Sequence, residues 1–268
     1  MKIIDAHIHF RPSPGFDSLA KACGHENSAE HLEKTFRELN IEHAVVMGNG
    51  RFGDQEYPPF LSWCCGLDSS LLHTLSVSEC ASLVEQNINK PGCVGVKLYP
   101  GYTREYITDP AYTPIYEVAA AYHKPVAIHT GATANAGSHL KYCHPLIVDE
   151  VAADFPQTTF VICHYGNPWL LDAAAVLDKN HNVCADLSGI LDGGHHDIDA
   201  FAKENPGYMD YMRTWISYPA AFDRIMYGTD WPLVNMGEYI DFVSRLVPEK
   251  YWDDVFYNNA NRIYGLGL

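Results

Sequence analysis

The chain has 268 residues, of which 47% are hydrophobic, and a formal net charge of -15. A chain of this size can bury a full core as a single domain spanning residues 1–268, and its acidity disfavours nucleic acid and anionic membranes as partners. It has no run of eighteen apolar residues, and its histidine-bearing start is typical of a core strand rather than of a signal peptide, so we expect a cytoplasmic protein.

Short buried strands alternate with helices along the chain. Strands are predicted at 3–9, 43–48, 73–77, 93–99, 125–130, 159–164, 182–188 and 224–229. Residues 50–66 are rich in glycine, proline and aromatic residues and are predicted to form a loop. Eight strands in a chain close to the roughly 250 residues of a (β/α)8 barrel predict this fold, a TIM barrel of the α/β class.

Helix-start signals support the alternation. Ser28 is predicted to cap a helix that runs to about Leu39, and Ser76 with Glu79 forms a capping-box pattern. Proline in the first turn predicts two further helices, one over 115–123 that Thr113-Pro114 starts and one over 169–178 after a cap at Asn167.

Potential metal ligands stand at the ends of the predicted strands. His7 and His9 are one residue apart, so strand alternation points both to one face, with Asp5 one layer deeper. Four later strands end in Lys97, His129, His164 and Asp230. Since the carboxyl ends of barrel strands meet at one mouth, we expect these groups to gather there. Imidazole and carboxylate are zinc ligands, and a catalytic zinc site keeps one position for water.

Three of these residues have predicted catalytic roles. Asp230 would bind the ion and accept a proton from water, and His164 would stabilise an oxyanion or relay a proton. The sequence leaves three alternatives for Lys97: carboxylation, an ion pair with Asp5 or Asp230, or binding of a substrate carboxylate.

Several motifs together resemble a known family. They are DAHIH (5–9), GVKLYP (95–100), IHTG (128–131), CHYGNP (163–168), YGTDWP (227–232) and NANRIY (259–264). They are similar to the amidohydrolase superfamily and, within it, to the amidohydrolase-related (amidohydrolase 2) branch, which includes the aminocarboxymuconate-semialdehyde and resorcylate decarboxylases. The resemblance implies that His7, His9, His129 and Asp230 hold a divalent ion, usually zinc, with His164 as a second-shell or catalytic histidine. It also implies that Lys97 matches the position that is carboxylated in two-metal members, so one or two ions are expected.

The sequence favours a metal-dependent hydrolase of a small-molecule amide, ester or lactone that uses metal-bound hydroxide. The alternative is a metal-dependent decarboxylase of an aromatic or unsaturated carboxylic acid, which the strand-four motif containing Lys97 makes less favoured. A non-enzymatic barrel would not need so many ionisable groups on one rim.

Other predictions concern the surroundings of the site. Residues predicted to line the substrate pocket are Arg51, Tyr99, Tyr165 and Trp231. The pair His195-His196 is predicted to be a polar loop at the barrel mouth, and Asp186 to point inward on the seventh strand. The eight cysteines are expected to be reduced thiols, and a homodimer is expected from how often soluble enzymes form two-fold pairs.

Overall fold

Eight parallel strands form one sheet whose order follows the chain, in a computed structural model that describes residues 1–48, 56–67, 72–194 and 196–268. The strands are β1 (Ile3–Ile8), β2 (Ile41–Met47), β3 (Leu61–Gly66), β4 (Cys93–Leu98), β5 (Val126–Ile128), β6 (Phe160–Ile162), β7 (Val183–Asp186) and β8 (Ile225–Met226). The first strand meets the end of the last, since Ala6 N donates to Tyr227 O at 2.9 Å and Ile8 forms a parallel bridge with Trp231. The predicted TIM barrel is confirmed.

One buried apolar cluster occupies the inside of the barrel. All eight strands contribute to it, through Ile4, Ala6, Val45, Met47, Cys64, Val94, Ala127, Val161, Cys184 and Met226. The other buried apolar cluster mixes strand residues with helix residues such as Leu32, Val84 and Ile115, and it therefore lies outside the strands. Ala260, Ile263 and Tyr264 from the last helix join the same cluster, and neighbouring Asn259 bonds the carbonyl oxygen of Ile225 at the start of β8. The carboxyl-terminal helix therefore closes the base of the barrel and leaves the opposite end as the mouth.

Helices surround the sheet and pack on the outward-facing strand residues. They are α1 (Pro14–Ala22), α2 (Ala29–Leu39), α3 (Val77–Ile88), α4 (Pro100–Thr103), α5 (Thr113–Ala121), α6 (Leu146–Asp154), α7 (Leu170–Lys179), α8 (Ile198–Glu204), α9 (Pro206–Ser217), α10 (Met236–Ser244) and α11 (Asn259–Ile263). The predicted cap at Ser28 and the capping box of Ser76 with Glu79 are both present. Within the described part of the chain, no helix is long and apolar enough to span a membrane.

The predicted third strand was wrong. Residues 73–77 lead into α3 instead, because Ser76 is its N-cap and Val77 is its first residue. The strand is Leu61–Gly66, inside the segment predicted to be a loop, and all six of its residues are buried. The capping box already opposed a strand through residue 77, since a cap residue begins a helix.

Two local predictions also need correction. The helix after Asn167-Pro168 begins only at Leu170, and the Asn167 side chain donates to Ile190 O, at 3.4 Å, instead of capping the helix. Asp5 does not share a face with His7: its neighbours Ile4 and Ala6 point into the lumen, and the register of β1 on β2 shifts between Asp5 and Ile8. This irregularity breaks the simple alternation on which the prediction rested.

The corrected third strand makes a testable prediction at Gly48. A Cβ atom there would overlap the Gly66 nitrogen and the Cys64 carbonyl oxygen of β3. We therefore expect Gly48→Ala to lower the free energy of unfolding by about 1–3 kcal/mol, measured by urea denaturation. The control is Gly15→Ala in α1, where an added Cβ meets nothing within 4 Å. Equal stability of the two variants would contradict the β2–β3 pairing.

Candidate active site

The candidate site lies at the mouth, on the seam between β1 and β8. His7 is near the end of β1, His9 follows it, and Asp230 lies four residues beyond β8. Two backbone hydrogen bonds join the segments: Asp230 N donates to His7 O at 2.8 Å, and His9 N donates to Trp231 O at 2.6 Å. Asp230 has a left-handed backbone (φ 67°), a conformation that costs a non-glycine residue roughly 1–3 kcal/mol and is found mostly at functional sites.

His7, His9 and Asp230 bring three potential ligand atoms together. Asp230 Oδ1 lies 3.4 Å from His7 Nε2 and 3.1 Å from His9 Nε2. Neither contact is aligned as a hydrogen bond, so His7 Nε2 and Asp230 Oδ1 are buried without a hydrogen-bond partner among the described residues. Buried polar atoms are nearly always satisfied. His7 Nε2 and Asp230 Oδ1 lack such partners and face one another, and this arrangement fits a bound cation.

Asp186 at the end of β7 orients His7. Its Oδ2 lies 2.9 Å from His7 Nδ1, and its Oδ1 accepts from the backbone N–H groups of His164 and Ser188 and from the Ser188 hydroxyl. Burial opposes ionisation, but the charge and hydrogen bond of His7, with the charges of His164 and Lys97, hold the pKa of Asp186 below its usual range. A carboxylate can only accept, so His7 Nδ1 carries the proton and its Nε2 lone pair faces Asp230.

His129 and His164 form a hydrogen-bonded chain beside this group. His129 Nε2 lies 3.0 Å from Ala132 O, His129 Nδ1 lies 3.0 Å from His164 Nε2, and His164 Nδ1 lies 2.9 Å from Ser188 Oγ. The Ser188 hydroxyl also lies 2.5 Å from Asp186 Oδ1. Two neutral imidazoles and one hydroxyl supply one proton each, fewer than the contacts in the chain. With both rings neutral, at least one of these contacts therefore lacks a donated proton.

The backbone of β6 explains how His164 reaches the site. Ile162 packs with the outer core, whereas Cys163 points into the lumen. His164 follows with φ 60°, which turns its side chain inward too. Its Nδ1 lies 3.9 Å from Asp230 Oδ2.

Lys97 is fully buried below the mouth. Its Nζ donates to Cys163 Sγ at 2.8 Å and lies 5.0 Å from the centre of the Tyr99 ring. Within the described residues, neither Asp5 nor Asp230 forms an ion pair with it. The predicted ion pair with one of these two carboxylates is therefore wrong, because the side chain turns towards β6.

Burial sets the charges of the site. It lowers the pKa of His7 to about 3 and the pKa of His129 well below the usual value, so both rings are neutral near pH 7. Burial would raise the pKa of Asp230, but His164 and His9 together hold it well below its usual range. The site thus combines neutral imidazole donors with an ionised carboxylate, the protonation states that metal binding requires.

A cleft of about 140 Å³ opens beside Asp230. Its lining residues are Tyr102, His129, Ala132, Thr133, Ala134, His164, Asn167, Gly189, Asp192, Asp230 and Leu233. All of them lie in the segments that follow β4, β5, β6, β7 and β8. The cleft is therefore the entrance through which a small molecule would reach the candidate site.

The remaining predicted site residues are Arg51, His195, Tyr99, Tyr165 and Trp231. Arg51 and His195 fall outside the described residues. The Tyr99 ring lies 6.1 Å from that of His129, whereas Tyr165 is fully buried with its hydroxyl on Trp215 O, and Trp231 is fully buried next to Phe10. The pocket roles of Tyr99, Tyr165 and Trp231 stay predictions.

Sequence reasoning did not identify Ser188, Cys163 or Asp192 as site residues. Alternation along β7 places Cys184, Asp186 and Ser188 on one face, so a signal for Ser188 existed. No sequence signal pointed to the contact of Lys97 with Cys163, because it joins residues 66 positions apart.

Comparison with known proteins agrees with this architecture. A search of curated protein sequences gave no match. An uncharacterized TIM-barrel protein from Bordetella bronchiseptica is 21% identical, with a TM-score of 0.74 and 99% of both chains covered. A dihydroxybenzoic acid decarboxylase from Polaromonas, solved with manganese and 2-nitroresorcinol, is 13% identical with a TM-score of 0.69, covering 100% of this chain and 98% of the other.

A hydrolase is also among the similar structures. A probable 2-pyrone-4,6-dicarboxylic acid hydrolase from Acinetobacter baumannii, solved with citric acid, is 16% identical with a TM-score of 0.65, covering 99% of this chain and 100% of the other. At these identities the likeness shows the shared fold. The amidohydrolase family model, however, matches residues 4–266, and the chain therefore belongs to the amidohydrolase family.

Proposed function

We propose that the protein is a metal-dependent hydrolase that acts on an amide, ester or lactone of a small molecule. The observation that carries the proposal is the convergence of His7, His9 and Asp230, with buried ligand atoms that face one another without aligned hydrogen bonds. A cation completes such a group, whereas a structural role would leave these polar atoms unsatisfied in the core.

His7, His9 and Asp230 would hold a divalent ion, with zinc as the first candidate and manganese as another. When bound, such an ion polarises a carbonyl and makes water acidic near neutral pH. His129 is the proposed fourth ligand. While its Nε2 donates to Ala132, its remaining lone pair faces His164, so ligation by His129 would replace its bond to His164.

Asp230 and His164 would move protons. Asp230 is ionised and borders the cleft, so it can accept the proton of an attacking water and return it to a leaving group. His164 lies across from Asp230 and is linked through Ser188 to Asp186. It is suited to stabilise an oxyanion or to pass a proton along this chain.

Lys97 would act as a buried ammonium rather than as a carboxylated ligand. Its contact with Cys163 Sγ supports the ammonium form, because an ammonium needs an acceptor. Carboxylation would instead add a third negative group near Asp186 and Asp230, and a buried uncompensated charge is costly. One ion per chain follows from this role.

A decarboxylase is the second candidate. The structural likeness to a dihydroxybenzoic acid decarboxylase supports this alternative. In that reaction the same ion would orient a carboxylate and a neighbouring hydroxyl, and His164 would supply a proton to the carbon.

We expect protein purified without chelators to contain about one equivalent of divalent metal by elemental analysis. Without one of its ligands, His7→Ala should retain less than roughly a tenth of an equivalent. The control is His144→Gln, because His144 faces Asp172 at the surface, 3.5 Å away. A full complement of metal in the His7 variant would contradict the assignment.

Asp230→Asn should reduce kcat by at least about 100-fold on any ester, lactone or amide that the protein hydrolyses, because an amide cannot accept the proton. A substrate panel measured beside carbon dioxide release from hydroxybenzoates separates the two reactions. Release of carbon dioxide without any hydrolysis would favour the decarboxylase.

Substitution of Cys163 tests the state of Lys97. Cys163→Val leaves the ammonium without its acceptor and should lower the free energy of unfolding by about 1–3 kcal/mol, whereas Cys163→Ser keeps an acceptor oxygen and should cost less. Urea denaturation of metal-free protein measures both. A carbamate carbon signal in NMR after labelling with bicarbonate would contradict the ammonium form.

A further inference from the structure

We propose that the cleft accepts a small neutral or cationic substrate whose hydroxyl or ammonium group faces Asp192, and that it discriminates against a second carboxylate. This inference rests on the proposed function, since it assumes that the reacting group of the substrate lies at Asp230. The inference concerns the end of the cleft at Asp192.

The charges of the cleft support this substrate class. Two carboxylates, Asp192 and Asp230, line it, and no lysine or arginine is among its described lining residues. Arg104 belongs to the loop after β4, but its Nε and Nη2 atoms donate to Gly137 O at 3.1 and 2.7 Å. Lys97 is fully buried and donates to Cys163. A divalent ion would attract an anion only at the Asp230 end.

Asp192 is held at the entrance by its loop. The Asp192 carbonyl oxygen lies 3.0 Å from His196 Nε2, and Gly193 N donates to the carbonyl oxygen of cleft-lining Leu233 at 3.1 Å. The Asp192 residue is exposed to solvent. The carboxylate is therefore available to a ligand.

The size of the cleft sets a second limit. Its volume is about 140 Å³. Pockets for drug-sized ligands measure roughly 300–1,000 Å³. Polar groups at the walls, such as the Tyr102 and Thr133 hydroxyls, suit a compact substrate that bears hydroxyl groups.

Three hydroxamates with a shared metal-binding group test the inference without the natural substrate. They are β-alanine hydroxamate, butanohydroxamate and succinate monohydroxamate, which end in an ammonium, a methyl group and a carboxylate. Calorimetry on zinc-loaded protein should show the ammonium probe binding at least about fivefold more tightly than the carboxylate probe, as expected for a solvent-exposed partner charge. Asp192→Asn should reduce this difference, and Asp192→Lys should reverse it.

Each result has a distinct meaning. If butanohydroxamate binds zinc-loaded and zinc-free protein equally, the proposed function fails, and this inference fails with it. If butanohydroxamate requires zinc but the carboxylate probe binds as tightly as the ammonium probe, only the inference is overturned. Loss of that carboxylate binding in Arg51→Gln would assign it to Arg51. An unchanged preference in Asp192→Asn would also overturn the role of Asp192.

Discussion

The seam between β1 and β8 is the constraint on which the site depends. Backbone hydrogen bonds from Asp230 N to His7 O and from His9 N to Trp231 O determine how far the carboxylate lies from the two imidazoles. Asp5 reinforces the seam from outside the lumen, since its carboxyl accepts from Thr229 N at 2.9 Å and from Thr229 Oγ1 at 2.7 Å. Strand register therefore sets the ligand geometry, and a shift of one residue would turn both histidines away.

The balance of charges in the lumen also favours a bound cation at Asp230. Asp186 and Asp230 are ionised, and both are buried. Lys97 is buried in the same lumen, and its positive charge helps to lower the pKa of Asp186. Asp230 otherwise lies near the imidazoles of His7, His9 and His164. A buried carboxylate needs a charged or strongly donating partner, so a bound cation at Asp230 would complete the balance.

The sequence predicted the parts of the site that follow from regular backbone. Alternation on one strand paired His7 with His9, and the order of strands placed Asp230 beside them. It placed His164 at the mouth but did not predict the left-handed backbone that turns this side chain there. It also missed the true third strand, whose Ser, Trp and Cys residues form a weak apolar run, and contacts across the lumen, such as Lys97 with Cys163, because they depend on three-dimensional register.

The proposed metal ligands and the walls of the cleft come from different parts of this molecule. The ligand group comes from strand ends, whose positions are fixed by the barrel, and similar structures named as hydrolase and decarboxylase share that barrel at 13–16% identity. The walls of the cleft come from loops, including Tyr102, Asn167 and Asp192. Asp192 in the loop after β7 can change its charge without altering the two backbone hydrogen bonds of the seam, because those bonds join His7 to Asp230 and His9 to Trp231. The substrate of one relative therefore cannot be transferred to another on the basis of the barrel, and the local charge of the loops has to decide it.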